Sequence, residues 1–292
     1  MPGTRPSCRW LVRRLIQDTR LPVKQKQRLF NFFARETIPG RDLHALMRTP
    51  FGAIHARLDL DDDLSRLWYY WGYIDYEPGV TRLLCKLLED KACVFDVGAN
   101  IGYYTLLMAL ALRGRGRVHA FEPAPMVYSA LKRNASLNHL PNLVLNPGAL
   151  ADRNGTMDLF LPADGAWSNA SLIEHFTAQD RRIAAPAMRF DSYCGREAID
   201  RVDLVKLDVE GAELSVLKGM GELLLKWRPD IICEVLEPFA KELDGFFADT
   251  PYRKFLITDD RLEPASRLDA NPRYRDYFLT AGLLERPGSI ST

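Results

Sequence analysis

Residues Cys93 to Ala109 read CVFDVGANIGYYTLLMA, which packs a strand, a turn and a helix into one short run. Gly98 and Gly102 flank the turn, so the backbone can approach a ligand closely and the helix N-terminus can meet a carboxylate or phosphate. In an open α/β sheet, ligands sit beyond the carboxyl ends of the strands, near the point where strand order reverses. A dinucleotide fingerprint G-x-G-x-x-G counted from Gly98 needs glycines at positions 100 and 103, and this chain has Asn100 and Tyr103 there. Asp96, at the end of the strand, is an awkward neighbour for a pyrophosphate. It suits a ligand that carries an ammonium and a sulfonium, and S-adenosylmethionine is that ligand. Glu122 follows Gly102 by 20 residues, at the tip of VHAFEP. It can accept both hydroxyls of an adenosine ribose, a device that NAD enzymes share. Taken alone, the glycine turn fits a nucleotide-like cofactor and a purely structural βα turn equally well.

The elements that must position these residues follow from the hydrophobic pattern. From Val80 the chain predicts a helix (80–89), a strand (94–97), a helix (103–112), a strand (117–121) and a helix (125–137), the alternation that gives a parallel sheet covered on both faces. PNLVLN adds a third strand, and ALADRNGTMDLFLP reads as a hairpin about Asn154-Gly155, a dipeptide that tolerates the positive φ of a tight turn. VDLVKLD (202–208) and DIICEV (230–235) are further strands, separated by a helix near 213–225, and RKFLIT and RDYFLTAG are two more. Upstream, residues 7–36 show helical spacing in two segments punctuated by Pro22 and Pro39, and FGAIHARLDL alternates as a strand.

Four blocks occur in an order that resembles the FkbM-type S-adenosylmethionine-dependent methyltransferases, within the class I Rossmann-like group. They are GYIDYEPGV, VFDVGANIGYYTLLMA, VHAFEPAP with LKRNASLN, and VDLVKLDVEGAELSVLKGM; SNASLI and RPDIICEVLEP also fit. The resemblance covers roughly Asp59 to Leu236. It implies an α/β fold with a seven-stranded, mostly parallel sheet whose last strand is antiparallel, with helices on both faces. It implies that the cofactor lies on Asp96, Gly98, Ala99, Asn100, Gly102 and Tyr103, with Glu122 and Pro123 at the ribose. It further implies O-methylation of a hydroxyl, on a saccharide, glycoconjugate or related natural product, leaving S-adenosylhomocysteine.

Methyl transfer to oxygen requires that the acceptor be positioned in line and relieved of its proton. KLDVEGAE supplies the candidates, because on a strand Lys206, Asp208 and Glu210 alternate onto one side and approach the carboxyl edge. Glu234, at the end of the next strand, can join them. Asp208 is read as the general base or as a contact to the cofactor's charged methionine end, with Glu210 and Glu234 orienting the acceptor. Those two could instead share a divalent ion, although carboxylates without a fixed spacing are a poor metal signal and no metal site is predicted. Lys206 could equally be a paired structural lysine, and Glu213 reads as an acid that offsets the dipole of the following helix. Among the five histidines only His175, after SNASLIE, is placed as a catalytic candidate; His119 and His139 read as structural or surface residues. Trp68, Tyr69, Tyr70, Trp71, Tyr73 and Tyr76 read as packing, and Trp167 as a contact to the acceptor.

The 292 residues and 47% hydrophobic content allow a sizeable core. The charge divides unevenly: residues 1–48 carry 11 Lys or Arg against 3 Asp or Glu, a balance of +8, and the remainder is −7. The chain is therefore divided into a basic helical N-terminal extension (1–50) and a methyltransferase domain (51–292). The extension could meet a membrane surface or a partner enzyme, while the acidic remainder opposes a nucleic-acid backbone. Five cysteines at scattered positions suggest neither disulfides nor zinc, and no signal-peptide or transmembrane run is found, so a cytoplasmic protein is expected, with membrane-peripheral contact as an option. The alternatives in other classes are a dinucleotide-dependent oxidoreductase, disfavoured by Asn100 and Tyr103, and a non-catalytic scaffold that docks through its basic segment.

Overall fold

A computed structural model of the chain describes residues 6–17, 20–35, 42–72, 77–161 and 181–282. Helices α1 (Pro6–Ile16) and α2 (Val23–Arg35) precede a hairpin of β1 (Leu43–Thr49) and β2 (Gly52–Leu58). The hairpin crosses residue 50, so the first fifty residues are not all helical. Nor do they stand apart: Val12 and Ile16 are buried in the main core, and Arg13 donates to the carbonyl of Leu46 at 3.0 Å. α3 (Asp63–Trp71) follows, started by Asp62, whose side chain accepts from the Ser65 N–H. Its Trp68, Tyr69, Tyr70 and Trp71 are buried, and Trp68 packs edge-on to Tyr103 at 5.2 Å. These four aromatics are therefore packing; Tyr73 and Tyr76 lie outside the described residues.

α4 (Pro78–Leu87) leads into β3 (Cys93–Val97), α5 (Tyr103–Leu112), β4 (Arg117–Phe121), α6 (Pro125–Ser136) and β5 (Leu143–Asn146). Four consecutive residues of β3 are buried, as expected for a strand covered on both faces, and nine of the ten residues of α5 are buried. Asn134 on α6 and Asn138 just beyond its end tie this segment to β2. The Asn134 Oδ1 accepts from the Arg57 N–H, while Asn138 accepts from the His55 N–H and donates to the His55 carbonyl. These bonds satisfy the backbone of β2 on its unpaired edge.

The chain then forms β6 (Ala149–Ala151), β7 (Gly155–Leu161) and β8 (Arg181–Arg189), a separate three-stranded sheet in the order β6-β8-β7. The expected hairpin about Asn154-Gly155 is thus corrected: the chain does turn there, with Gly155 at φ +128, but β8 lies between the two arms and pairs with both. After α7 (Phe190–Arg196) come β9 (Leu204–Leu207), α8 (Glu213–Met220), α9 (Leu223–Trp227), β10 (Asp230–Glu234), α10 (Ala240–Phe246), β11 (Arg253–Ile257), β12 (Leu262–Ala265) and β13 (Asp276–Thr280).

The main sheet runs β12-β11-β13-β10-β9-β3-β4-β5. From β5 to β10 all pairings are parallel, and β13 is antiparallel to β10. This is the expected mixed, mostly parallel sheet, extended by one strand because β12 folds back on β11 at the edge. β3 has β4 on one side and β9 on the other, so strand order reverses at the glycine turn, where such folds bind ligands. A stack of Phe95 on Phe190 at 4.5 Å fills one face. His119 is buried there with its Nδ1 2.8 Å from the Tyr193 hydroxyl, and burial lowers it to about 4, which makes it a neutral core histidine. Among the described residues no helix is long and apolar enough to cross a membrane.

Candidate active site

A cavity of about 210 Å³ opens over the carboxyl ends of β3, β4 and β9. Its wall includes Asp96, Gly98, Ala99, Asn100, Tyr103, Glu122, Pro123, Lys206, Asp208, Glu210 and Glu234, which sequence reasoning had gathered from four separate stretches. Gly102 is not on that wall. It caps α5 at φ +100, and a Cβ there would come within 2.8 Å of Leu131, so its place is in the packing of the turn. His175, Trp167 and SNASLI lie outside the described residues.

The turn is built to bring backbone together. A Cβ on Gly98, at φ +85, would fall 1.7 Å from the carbonyl oxygen of Asp208, so only glycine lets the β3 turn pass the end of β9. The Gly98 and Ala99 N–H groups donate to the Phe121 carbonyl at 3.1 and 2.9 Å, fixing the turn against the end of β4. Glu122 completes the link: its Oε2 accepts from the Asn100 N–H and its Oε1 from the Ala124 N–H, each at 2.9 Å. Each oxygen keeps a second lone pair. Burial pushes Glu122 up to about 7 despite those two bonds.

Asp96 is fully buried. The Thr105 hydroxyl, in the first turn of α5, donates to its Oδ2 at 2.5 Å, while Oδ1 has no hydrogen-bond partner in the described structure. Burial raises Asp96 to about 6, and the Lys206 ammonium and Thr105 limit that rise. Lys206 donates to Asp208 Oδ2 at 2.9 Å and lies 4.8 Å from the centre of the Tyr104 ring. Burial opposes its charge, but Asp208, Asp96 and Glu77 outweigh burial and hold it above the ordinary lysine range.

β9 ends at Leu207, and Glu210 reaches the cavity through a left-handed backbone at φ +52 rather than by continuing the strand. Asn100 (φ +49) and Glu77 (φ +41) share that uncommon geometry on the same wall. Non-glycine residues at positive φ are held there by surrounding structure and concentrate at functional sites. Glu213 holds the Glu210 loop from below, its Oε1 accepting from the Val209 and Gly211 N–H groups. It is thus a loop anchor as well as an acid in the first turn of α8.

Asp208, Glu210 and Glu234 bring one carboxylate oxygen each within 4.8 Å of one another, the one such grouping of three or more acidic, histidine or cysteine residues among the described residues. Such a grouping could bridge a cation, but Lys206 and Arg275 already bring positive charge to it. Crowding and burial both raise these carboxyls. Burial, then Asp208 and Glu213, push Glu210 up to about 8, and burial, then Asp208 and Glu210, push Glu234 up to about 10.

Two contributors were not singled out from sequence. Tyr104 donates to Glu77 Oε2 at 2.6 Å, and Thr105 aims Asp96. Both sit in the first turn of α5, where Tyr104 two residues beyond Gly102 and Thr105 nine residues beyond Asp96 were the available signal. Glu77 lay within the quoted GYIDYEPGV block.

Residues 96–254, more than half of the chain, match the family described as Methyltransferase FkbM domain. Methyltransferase sdnD of Sordaria araneosa is 29% identical over 207 residues, covering 60% of this chain and 78% of that protein. The 2-O-methyltransferase NoeI of Sinorhizobium fredii is 29% identical over 164 residues, covering 51% of this chain and 66% of that one. The crystal structure of methyltransferase FkbM from Methylobacillus flagellatus KT aligns at 16% identity with a TM-score of 0.42, covering 74% of this chain and 55% of that chain.

Proposed function

This chain belongs to the FkbM methyltransferase domain family, and on that premise we propose that it methylates a hydroxyl of a saccharide, glycoconjugate or related natural product, using S-adenosylmethionine. The observation that carries the cofactor assignment is Asp96, buried at a strand tip with one oxygen held by Thr105 and the other without a protein partner. A buried carboxylate with an uncompensated oxygen is costly unless a ligand donates to it or brings positive charge. The ammonium and sulfonium of the cofactor supply both. Glu122, across the turn, keeps a lone pair on each oxygen for the two ribose hydroxyls, and Gly98, Ala99 and Asn100 shape the wall between them. The similarity to a 2-O-methyltransferase supports oxygen as the acceptor atom.

When bound, the cofactor supplies an electrophilic methyl group. What this chain supplies is position and a proton acceptor. Asp208 is committed to Lys206 at 2.9 Å, and its place between Lys206 and the cavity suits contact to the cofactor's charged end. Glu210, pushed up to about 8, is the better matched base: once ionised, it holds a proton more readily than an ordinary carboxylate. Glu234, pushed up to about 10, keeps its proton near neutral pH and can donate it in a hydrogen bond that orients the acceptor.

Calorimetric titration with S-adenosylmethionine, S-adenosylhomocysteine, NAD and NADP tests the cofactor assignment. The first two are expected to bind and the dinucleotides not; dinucleotide binding would move the chain to hydride chemistry, and silence from all four would favour a non-catalytic role. A second expectation concerns aim. Thr105→Val removes the hydroxyl that fixes Asp96 and should weaken cofactor binding by about 2 kcal/mol, with Thr105→Ser restoring most of it. Equal affinities for all three proteins would show that Thr105 only packs.

A further inference from the structure

The N-terminal elements carry a surface that the candidate active site does not use. Val12 and Ile16 bury one side of α1 in the core, and the rest of its circumference turns Trp10, Leu11, Arg14 and Leu15 to solvent. β1 lies beside it, with Ala45 and Met47 pointing inward and His44, Leu46 and Arg48 pointing outward. An open cavity of about 650 Å³ joins the two elements; its wall includes Trp10, Arg13, Arg14, Arg20, His44 and Leu46, and no carboxylate lines it among the described residues. Of the seven large hydrophobic side chains exposed among the described residues, five, Trp10, Leu11, Leu15, Phe32 and Leu46, fall within residues 10–46, so apolar exposure is concentrated where the basic charge is. The guanidiniums of this face are not neutralised by neighbours. Arg57, Arg133, Arg189 and Arg201 each face a carboxylate, whereas Arg13, Arg14 and Arg48 make no ion pair among the described residues. Arg13 donates instead to the Leu46 carbonyl and lies 4.7 Å from the centre of the Tyr69 ring, and Arg14 lies 5.2 Å from that of Trp10.

We propose that this face docks on the surface of an anionic phospholipid bilayer, with Trp10, Leu11 and Leu15 entering the boundary between headgroups and acyl chains and Arg13, Arg14 and Arg48 meeting lipid phosphates. Exposed apolar patches rimmed by polar residues mark interaction sites, and the charge of the rim selects the partner. Here the rim is cationic and lacks acids of its own, so the partner is anionic. Tryptophan and leucine interleaved with arginine is the side-chain mixture that a bilayer interface accepts, since it buries the first two and pairs with the third. A nucleic-acid backbone would pair with the arginines but leave the leucines in water, and the remainder of the chain, at −7, would repel it. At 11 residues α1 is too short to cross a bilayer, so it lies in the plane of the interface.

The test is co-sedimentation of the full chain with vesicles, with tryptophan emission read in parallel. Phosphatidylcholine vesicles containing about 30% phosphatidylglycerol are expected to bind the chain, and phosphatidylcholine alone roughly ten-fold less. Salt at about 0.5 M should release most of the bound protein. Binding should shift the emission to the blue, and Trp10→Phe should abolish that shift while leaving binding in place, because Trp10 is exposed whereas Trp68 and Trp71 are already buried. Arg14→Gln combined with Arg48→Gln, which breaks no ion pair, should weaken binding to the anionic vesicles about ten-fold. Trp10→Ser combined with Leu11→Ser should weaken it by about as much, with circular dichroism confirming the fold of both variants. Absence of binding to the anionic vesicles, or binding that neither variant weakens, overturns the inference. Binding to polyglutamate or duplex DNA as tight as to the vesicles, with no shift in emission, overturns it too and makes the face a site for an acidic macromolecule.

Discussion

Replacing Asp96 with Asn should weaken S-adenosylmethionine binding by about 100-fold, close to 3 kcal/mol, with little change in thermal midpoint. Asn keeps the shape and can still accept from Thr105, so the substitution isolates charge. The loss is large because the carboxylate is fully buried and Thr105 engages only one of its oxygens. A cation bound beside the other oxygen is poorly screened by water. S-adenosylhomocysteine, which has the ammonium but no sulfonium, should lose less. Calorimetry on both ligands measures this directly; equal affinities for wild type and variant would take Asp96 out of the binding site and leave it a core residue.

Glu210→Gln should cut kcat by about 100-fold with a small effect on cofactor affinity, the signature of a lost proton acceptor. The sign of the pH dependence follows from the raised value. Near neutral pH the Glu210 carboxyl is largely protonated, so kcat/KM should climb through about pH 8 and level off above it. A bound sulfonium favours the ionised form, so the kcat limb should lie at lower pH. Stability should run the opposite way. Glu210, Glu213 and Glu122 rise from 4.5 to about 8, 7 and 7, so the folded state binds more protons than the unfolded chain between those values. Their contribution is present below 4.5 and fades as pH rises through 7 to 8. The thermal midpoint of the ligand-free protein should therefore fall from pH 5 to pH 9, and fall less in Glu210→Gln. A flat rate profile across pH 8, or an unchanged kcat in the variant, would return the base to Asp208.

Much of this site was legible because its signals are local. The α5 bounds 103–112 and the β4 bounds 117–121 come out as predicted, since a glycine turn, a buried helix and a short apolar strand punctuate the chain clearly. Lys206, Asp208, Glu210 and Glu234 could be placed at one edge because strand tips in a parallel sheet share an edge. What failed was long-range pairing. Asn154-Gly155 marks a turn correctly, but nothing near it announces that Arg181–Arg189 will insert between the two arms. Pro186 sits inside that strand without an N–H to give to a ladder, so the local sequence does not signal it. Tyr104 and Thr105 read as ordinary helix residues until the fold set them against Glu77 and Asp96. Glu210 was expected on a continuing strand, whereas a left-handed turn carries it into the cavity.

The most direct test of the central assignment is to incubate the purified chain with S-adenosylmethionine labelled in its methyl group and a library of glycans, then follow the label by mass spectrometry and NMR. Label is expected on a hydroxyl oxygen, with one S-adenosylhomocysteine formed per methyl transferred and loss of both in Asp96→Asn. Label on nitrogen or carbon, or turnover unaffected by Asp96→Asn, would contradict the assignment.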